Sequence, residues 1–356
     1  MTLSITTLPS ITSAFVDTTR LCQHVLSCGP VDGEPIMLLH GNFSAATYWE
    51  ELMIALAAYG FRCIAPDLRG YGWTKDKRID STRGYRDWSD DIAALLATLV
   101  IERAHMVGWS MAGGILYRFI ADYPEKVLTA TLQAPVSPYG FGGTKDIKGT
   151  PCFADFAGSG GGTVNPVFIE RIQQGDRSVN DANSPRIIIN SFYYKPPFRA
   201  VREEDLLTAA LMQKTGSDRY PGDAEPSANW PYISPGTFGP VNCWSPKYLR
   251  TEVADLLAAQ PKPPILWIRG DSDAVVSDSS MFDVATLGKL GYIPGWPGEG
   301  IAPSQPMIAQ TRHVLDQYVV AGGRYYEVVL TDCAHSPHIE KQEKWISEFL
   351  AFRYLK

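Results

Sequence analysis

The chain has 356 residues, 45% hydrophobic and 20% charged, with a formal net charge of −6. This balance suits a soluble globular protein, either two domains or one large domain carrying an insertion, and leaves no basic footprint for nucleic acid or an anionic membrane. The first stretch, Met1 to Ser13, is rich in Ser and Thr, carries no Lys or Arg and lacks the apolar core of a secretory signal; with no apolar run long enough to span a bilayer, a cytoplasmic location is expected.

Ala14 to Leu26 reads as two short β-like segments, with Asp32-Gly33 turning into the next strand. Pro35-Ile36-Met37-Leu38-Leu39 is a compact apolar run suited to a strand buried on both faces, and it ends in His40-Gly41-Asn42-Phe43. Tyr48, Trp49, Leu52, Met53 and Leu56 share one helical face. Phe61 to Ala65 predicts another strand, ending in the polar, glycine-rich turn Asp67-Leu68-Arg69-Gly70-Tyr71-Gly72. Trp88, Ile92, Leu95, Leu96 and Leu99 predict an amphipathic helix. Ala104 to Gly114 then reads as strand, tight turn and helix, with Gly108-Trp109-Ser110-Met111-Ala112 at the turn. In such a turn the serine hydroxyl is lifted off the strand end. Pro124 closes that helix and Val127 to Gln133 predicts the next strand. Strands alternating with helices of this length predict a mostly parallel, doubly wound α/β sheet covered on both faces.

The alternation stops at Val136 and resumes near Pro246. This segment is rich in Gly, Pro and aromatics, with a helical pattern at Asp205 to Met212. So long a structureless loop is implausible in a compact domain, which predicts an inserted, mainly helical cap over 136–246 between two core parts, 1–135 and 247–356. Tyr248, Val253, Leu256 and Leu257 read as one helix. Pro264 to Ile268 is a buried strand leading to Arg269-Gly270-Asp271-Ser272-Asp273-Ala274-Val275-Val276. A second irregular loop, about 287–306, contains Trp296 and fits either a lid or a homodimer contact. A helix over Met307 to Val320, a strand over Tyr325 to Leu330, the loop Thr331 to His338 and a helix with Trp345, Ile346 and Phe349 complete the chain. Six cysteines (Cys22, Cys28, Cys63, Cys152, Cys243, Cys333) stand without C-x-x-C pairs, which argues against a zinc site or disulfide framework.

Three chemistry-bearing loops thus follow successive strands, with Ser110, then Asp271 and Asp273, then His335. Serine needs an adjacent imidazole to take its proton, and the imidazole needs a carboxylate to fix its tautomer. The Met111 N–H, at the start of a helix behind the nucleophile, is suited to an oxyanion. No metal or cofactor is called for.

With His40-Gly41-Asn42, Asp67-x-Arg69-Gly70-x-Gly72, Gly108-x-Ser110-x-Ala112-Gly113 and Asp273 followed much later by His335, the chain resembles the α/β-hydrolase fold superfamily. The resemblance covers the whole length apart from the two insertions. It implies a serine hydrolase with the triad Ser110, Asp273 and His335. Gly270-x-x-Asp273 followed by an apolar pair favours Asp273 over Asp271 as the acid, leaving Asp271 as a turn residue. By the same resemblance the N–H of Asn42 joins that of Met111 at the oxyanion, with Phe43 as the fallback. His24 and His313 read as structural or surface residues, His105 as starting the serine strand far from its active end, His40 as a packing residue of the oxyanion loop, and His338 as a residue at the entrance.

The expected reaction is hydrolysis of an ester or lactone of a medium-sized, largely apolar small molecule through an acyl-enzyme on Ser110. Phe43, Trp109, Tyr194, Trp296 and His338 are the candidate substrate-lining residues. Lys195 and Arg199 fit a carboxylate, or simply a solvated surface. Two rivals keep the same residues: a carbon–carbon bond hydrolase or lyase, and a ligand receptor retaining a hydrolase site.

Overall fold

In the computed structural model, which describes residues 6–353, the apolar runs of the first half are strands and the periodic segments between them are helices. Of the Ser- and Thr-rich N-terminal stretch, residues 1–5 lie outside the described residues. The elements run β1 (Thr12–Asp17), β2 (Cys22–Cys28), β3 (Glu34–Leu39), α1 (Glu50–Ala57), β4 (Phe61–Pro66), α2 (Arg86–Thr98), β5 (Ala104–Trp109), α3 (Met111–Asp122) and β6 (Val127–Gln133). All of β5 and the last four residues of β3 are buried, as strands covered by helices on both faces require.

The insertion follows with α4 (Pro166–Gln173), α5 (Pro185–Ile188), a π turn over Ile189–Tyr193, and α6 (Glu203–Leu211). Four short strands, β7 (Thr215–Gly216), β8 (Tyr220–Pro221), β9 (Ala224–Pro226) and β10 (Ile233–Pro235), and then α7 (Pro240–Cys243) complete it. The regular structure of the cap is mainly helical, as expected, though the helices are short and two pairs of short strands accompany them, β7 with β8 and β9 with β10. Prolines at the first turn of α4, α5 and α7 start these helices, and the Gly- and Pro-rich joints stop them from growing. Core elements resume with α8 (Glu252–Ala258), β11 (Ile265–Gly270), α9 (Val284–Lys289), α10 (Met307–Val320), β12 (Tyr325–Leu330), α11 (Pro337–Glu340) and α12 (Gln342–Arg353). Tyr248 does not share α8; it ends a separate 3-10 turn, Pro246–Tyr248.

The main sheet has the order β1-β2-β4-β3-β5-β6-β11-β12, parallel from β4 to β12, with β2 antiparallel to both β1 and β4. The chain steps from β3 to β4 on one side and returns as β5 on the other. The order therefore reverses between β3 and β5, and the carboxyl edge at such a reversal is where open α/β sheets build sites.

The cap shares the apolar core of the sheet, since Ile172, Ile189, Tyr193, Leu206 and Trp244 belong to the same buried cluster. The loop after α9 is fastened elsewhere. Trp230 of the cap donates to the Pro294 carbonyl at 2.9 Å, and the Gln305 amide donates to the Gly140 carbonyl at 3.0 Å. Among the described residues no helix is long and apolar enough to cross a membrane.

Candidate active site

Ser110 sits between β5 and α3 with φ 58° and ψ −117°, a region that non-glycine residues rarely adopt. The strain is held by neighbours. Its N–H donates to the Gln133 carbonyl at 2.9 Å, and its carbonyl accepts from Gly113 at 2.9 Å and from Val136 at 3.1 Å. The backbone of β6 thus clamps the turn that presents the hydroxyl.

His335 and Asp273 come together from the loops after β12 and β11. His335 Nδ1 lies 2.8 Å from Asp273 Oδ2, while Asp273 Oδ1 accepts the N–H groups of Val275 at 2.8 Å and Val276 at 3.0 Å. A carboxylate only accepts, so Nδ1 carries the proton and Nε2 keeps a free lone pair, the form a general base needs. Gly270 permits this meeting. A Cβ there would lie 2.1 Å from the Cys333 carbonyl oxygen, so only glycine lets the histidine loop fold across the end of β11. Asp271 plays a different part. It is exposed, accepts from Ser272 at 2.8 Å and from the Asp332 N–H at 3.1 Å, and so anchors the base of that loop. Asp332 itself pairs with Lys195 at 2.6 Å. That pairing engages the cation considered for a substrate carboxylate, and Arg199 donates to the carbonyl of its neighbour Phe198. Cys333 is buried, and burial pushes its thiol up, away from the thiolate form.

On the other side of Ser110 runs the loop after β3. A Cβ on Gly41 would stand 3.0 Å from Ser110 Cβ, which measures how near this loop comes. His40 is the anchor. Its Nε2 accepts the Leu68 N–H at 3.0 Å, so the ring proton resides on Nδ1, 2.8 Å from the Gly41 carbonyl, which also accepts from the Ser44 hydroxyl at 2.8 Å. Burial, opposed by Asp67 and the Gly41 carbonyl, lowers the tendency of this imidazole to take a second proton. Asn42 Oδ1 accepts from the Tyr71 hydroxyl at 2.9 Å, and Asn42 O accepts from the Tyr193 hydroxyl at 2.8 Å. Met111 is the first residue of α3, where a helix leaves its N–H groups without internal partners.

The five candidate lining residues separate. Phe43, φ 48°, is buried and packs edge-on to Phe168 of α4 with centroids 5.1 Å apart. Trp109 is buried inside the sheet edge and donates its indole N–H to the His335 carbonyl at 2.8 Å, which makes it a support of the histidine loop. His338 does not stand at the entrance. It is buried, 4.2 Å from the Trp49 ring and 4.9 Å from the Trp109 ring, with Nδ1 accepting from the Gln133 amide at 2.7 Å. Burial, with a smaller effect from His335, pushes its pKa down to about 3.

Tyr194 is displaced by one residue from the expectation. It turns away to pack on Phe198 at 5.3 Å, while Tyr193 faces Trp109 at 5.5 Å and His335 at 5.9 Å. The π turn ends at Tyr193 and Tyr194 is extended, so consecutive side chains diverge. Trp296 belongs to the satellite cluster with Trp230, Val284 and Ala302, and its indole donates to the Ala302 carbonyl at 2.8 Å. Its loop is held by Trp230 of the cap. Sequence reasoning missed Tyr71, Gln133 and Tyr193, which act through backbone or through other side chains.

Comparison with known proteins agrees with this architecture. Residues 34–156 match a family model described as alpha/beta hydrolase fold. An uncharacterised carboxylesterase of Bacillus subtilis is 27% identical over 194 residues, 51% of this chain and 63% of its own length. The 2-hydroxymuconate semialdehyde hydrolase of a Pseudomonas species is 34% identical over 103 residues, 28% of this chain and 36% of its own length. The chain thus spans less than two thirds of either curated relative. A solved esterase from a Rhodococcus species superposes with a TM-score of 0.58 at 18% identity, covering 97% of this chain and 99% of its own, a likeness of fold.

Proposed function

Because the chain belongs to the α/β-hydrolase fold superfamily, we propose that it is a serine hydrolase, cleaving a carboxylic ester or lactone of a medium-sized, largely apolar substrate. The observation that carries this reading is the 2.8 Å bond between His335 Nδ1 and Asp273 Oδ2, at the same sheet edge as a serine held at positive φ. Ser110 Oγ attacks the carbonyl carbon as His335 Nε2 takes its proton. The proton then passes to the leaving alkoxide, an acyl group stays on Ser110, and His335 activates water to release it. Negative charge on the carbonyl oxygen is met by the N–H groups of Asn42 and Met111, each worth about 3 to 4 kcal/mol in the transition state. Ser110, Asp273 and His335 are all buried under the cap, which strengthens these interactions by keeping bulk water out.

Exposure to a fluorophosphonate followed by intact mass measurement tests the nucleophile. One adduct mapping to Ser110 is expected, together with turnover on part of a panel of aryl esters and lactones. Ser110→Ala should take no adduct and lose turnover by about 10⁶-fold while still binding the substrate. Adduct formation or undiminished hydrolysis in that variant would sink the assignment. Carbon–carbon bond hydrolysis by the same residues is the second reading, favoured by the similarity to the semialdehyde hydrolase. Product analysis on a ring-cleavage diketone separates the two.

A further inference from the structure

Tyr220 and Phe168 of the cap meet the side chains of the oxyanion loop, and Tyr193 meets its backbone. Tyr193 is buried at the end of the π turn, and its O–H donates to the Asn42 carbonyl at 2.8 Å, with the Phe43 carbonyl also near at 3.4 Å. π turns of this kind are rare and recur at functional sites, where they re-aim a side chain. In a trans peptide the C=O and N–H point in opposite directions, so an anchored carbonyl fixes where the N–H faces. Two consecutive peptide planes of the loop are anchored in this way. The Gly41–Asn42 plane is held by His40 and Ser44, both from the core. The Asn42–Phe43 plane is held by Tyr193, from the cap.

The second plane has the greater need of an anchor. It leads into Phe43 at φ 48°, a conformation a bulky residue avoids. Released from Tyr193, this peptide is free to rotate toward ordinary geometry, which turns the Phe43 N–H, the fallback donor, and through the shared Asn42 Cα loosens the neighbouring plane that carries the Asn42 N–H beside Ser110.

We propose that Tyr193 is a positioning residue for the oxyanion loop, supplied by the cap, so that the loop has its working shape only while the cap is docked. The inference rests on the serine-hydrolase reading and adds to it a reason for the cap beyond covering the substrate. Binding of substrate under a docked cap and completion of the charge-stabilising site become one event. The effect falls on the transition state, where the carbonyl oxygen is most negative, and hardly at all on the ground state.

The test uses the whole chain, turnover of p-nitrophenyl acetate and the affinity of a trifluoromethyl ketone, which forms the tetrahedral adduct on an active serine. Tyr193→Phe keeps the ring and removes the hydroxyl. Tyr48→Phe is the control. The Tyr48 hydroxyl also joins core to cap, donating to the Leu206 carbonyl at 3.1 Å rather than to a carbonyl of the 41–43 loop. In Tyr193→Phe, kcat is expected to fall at least about tenfold with KM within about twofold, and ketone affinity to fall with kcat. Tyr48→Phe should leave both near wild type. A Tyr193→Phe kcat near wild type, or equal losses in the two variants, overturns the inference, the second outcome because cap docking alone would then explain it. Active wild type labelled at Ser110 beside an unaffected Tyr193→Phe overturns this inference only. A wild-type chain that neither turns over nor labels overturns the hydrolase reading along with it.

Discussion

The two sides of Ser110 are built on different principles. On one side the proposed working groups are side chains: the His335 imidazole and the Asp273 carboxylate, joined at 2.8 Å, with the second Asp273 oxygen occupied by the N–H groups of Val275 and Val276. On the other they are backbone N–H groups, and the side chains present, His40, Ser44 and Tyr193, grip carbonyls to aim them. A substitution on the first side deletes chemistry, whereas one on the second side disturbs only its aim. The two sides should therefore differ in the size of mutational effects and in whether the named residue itself matters.

The largest contrast lies within the first side. Asp273→Asn keeps the shape but replaces an obligate acceptor with an amide that accepts and donates, so the histidine loses its enforced tautomer. A loss of about 10⁴-fold in kcat is expected. Asp271→Asn alters only the loop anchor and should stay within about tenfold. Steady-state kinetics on one ester checks both. Equal losses, or the reverse order, would move the acid to Asp271 and break the comparison.

On the second side the contrast is inverted. Asn42→Ala removes a side chain bonded to Tyr71 yet keeps the N–H, so kcat should drop by less than about tenfold. His40→Ala leaves the proposed donor residue untouched but takes a donor from the Gly41 carbonyl and an acceptor from the Leu68 N–H. It should cost about 10²-fold in kcat, close to the loss of a whole donor. Should Asn42→Ala prove the more severe, its amide side chain is at work and the backbone account of this side fails.

This division also governs what the sequence makes legible. Ser110, Asp273 and His335 are distinguished by side-chain chemistry and by order along the chain, and the alternation of apolar runs with helical periods announces the sheet that gathers their loops. Backbone donors carry no residue signature, so Asn42 and Met111 come from position alone. Aromatic runs are worse: in Phe192-Tyr193-Tyr194 nothing reveals the π turn that aims Tyr193 at the site and Tyr194 away from it. The cap, dense in Gly and Pro, has no period from which to read its short strands. Trp296 and His338 look like pocket residues because an isolated aromatic or histidine beside a functional loop has the same sequence whether it lines a cavity or packs beneath one. Even the buried Gln133 reads as an ordinary strand residue, although its carbonyl holds Ser110 and its amide holds His338.

That last arrangement yields the smallest effect, and one that acts on stability rather than rate. His338 lies beneath the histidine loop, packed edge-on against Trp109, and Trp109 in turn holds the His335 carbonyl. Buried, and next to His335, it has a pKa pushed down to about 3, against about 6.5 for a free histidine. Between those values the unfolded chain binds more protons at this residue than the folded one does. Folding stability is therefore lost as the pH falls from about 6.5 toward about 3, at up to about 1.4 kcal/mol per pH unit from this residue, and is fully present above that window. His338→Gln keeps an acceptor for the Gln133 amide and removes the titration. At neutral pH the variant should be slightly less stable, through lost ring contacts with Trp49 and Trp109. On acidification its disadvantage should shrink and then reverse. Urea midpoints at several pH values measure this difference directly, and the other titrating groups cancel between the two chains. Parallel stability profiles would show that His338 is protonated in the fold as readily as in the open chain, and its place as a neutral support beneath the acid–base side would be lost.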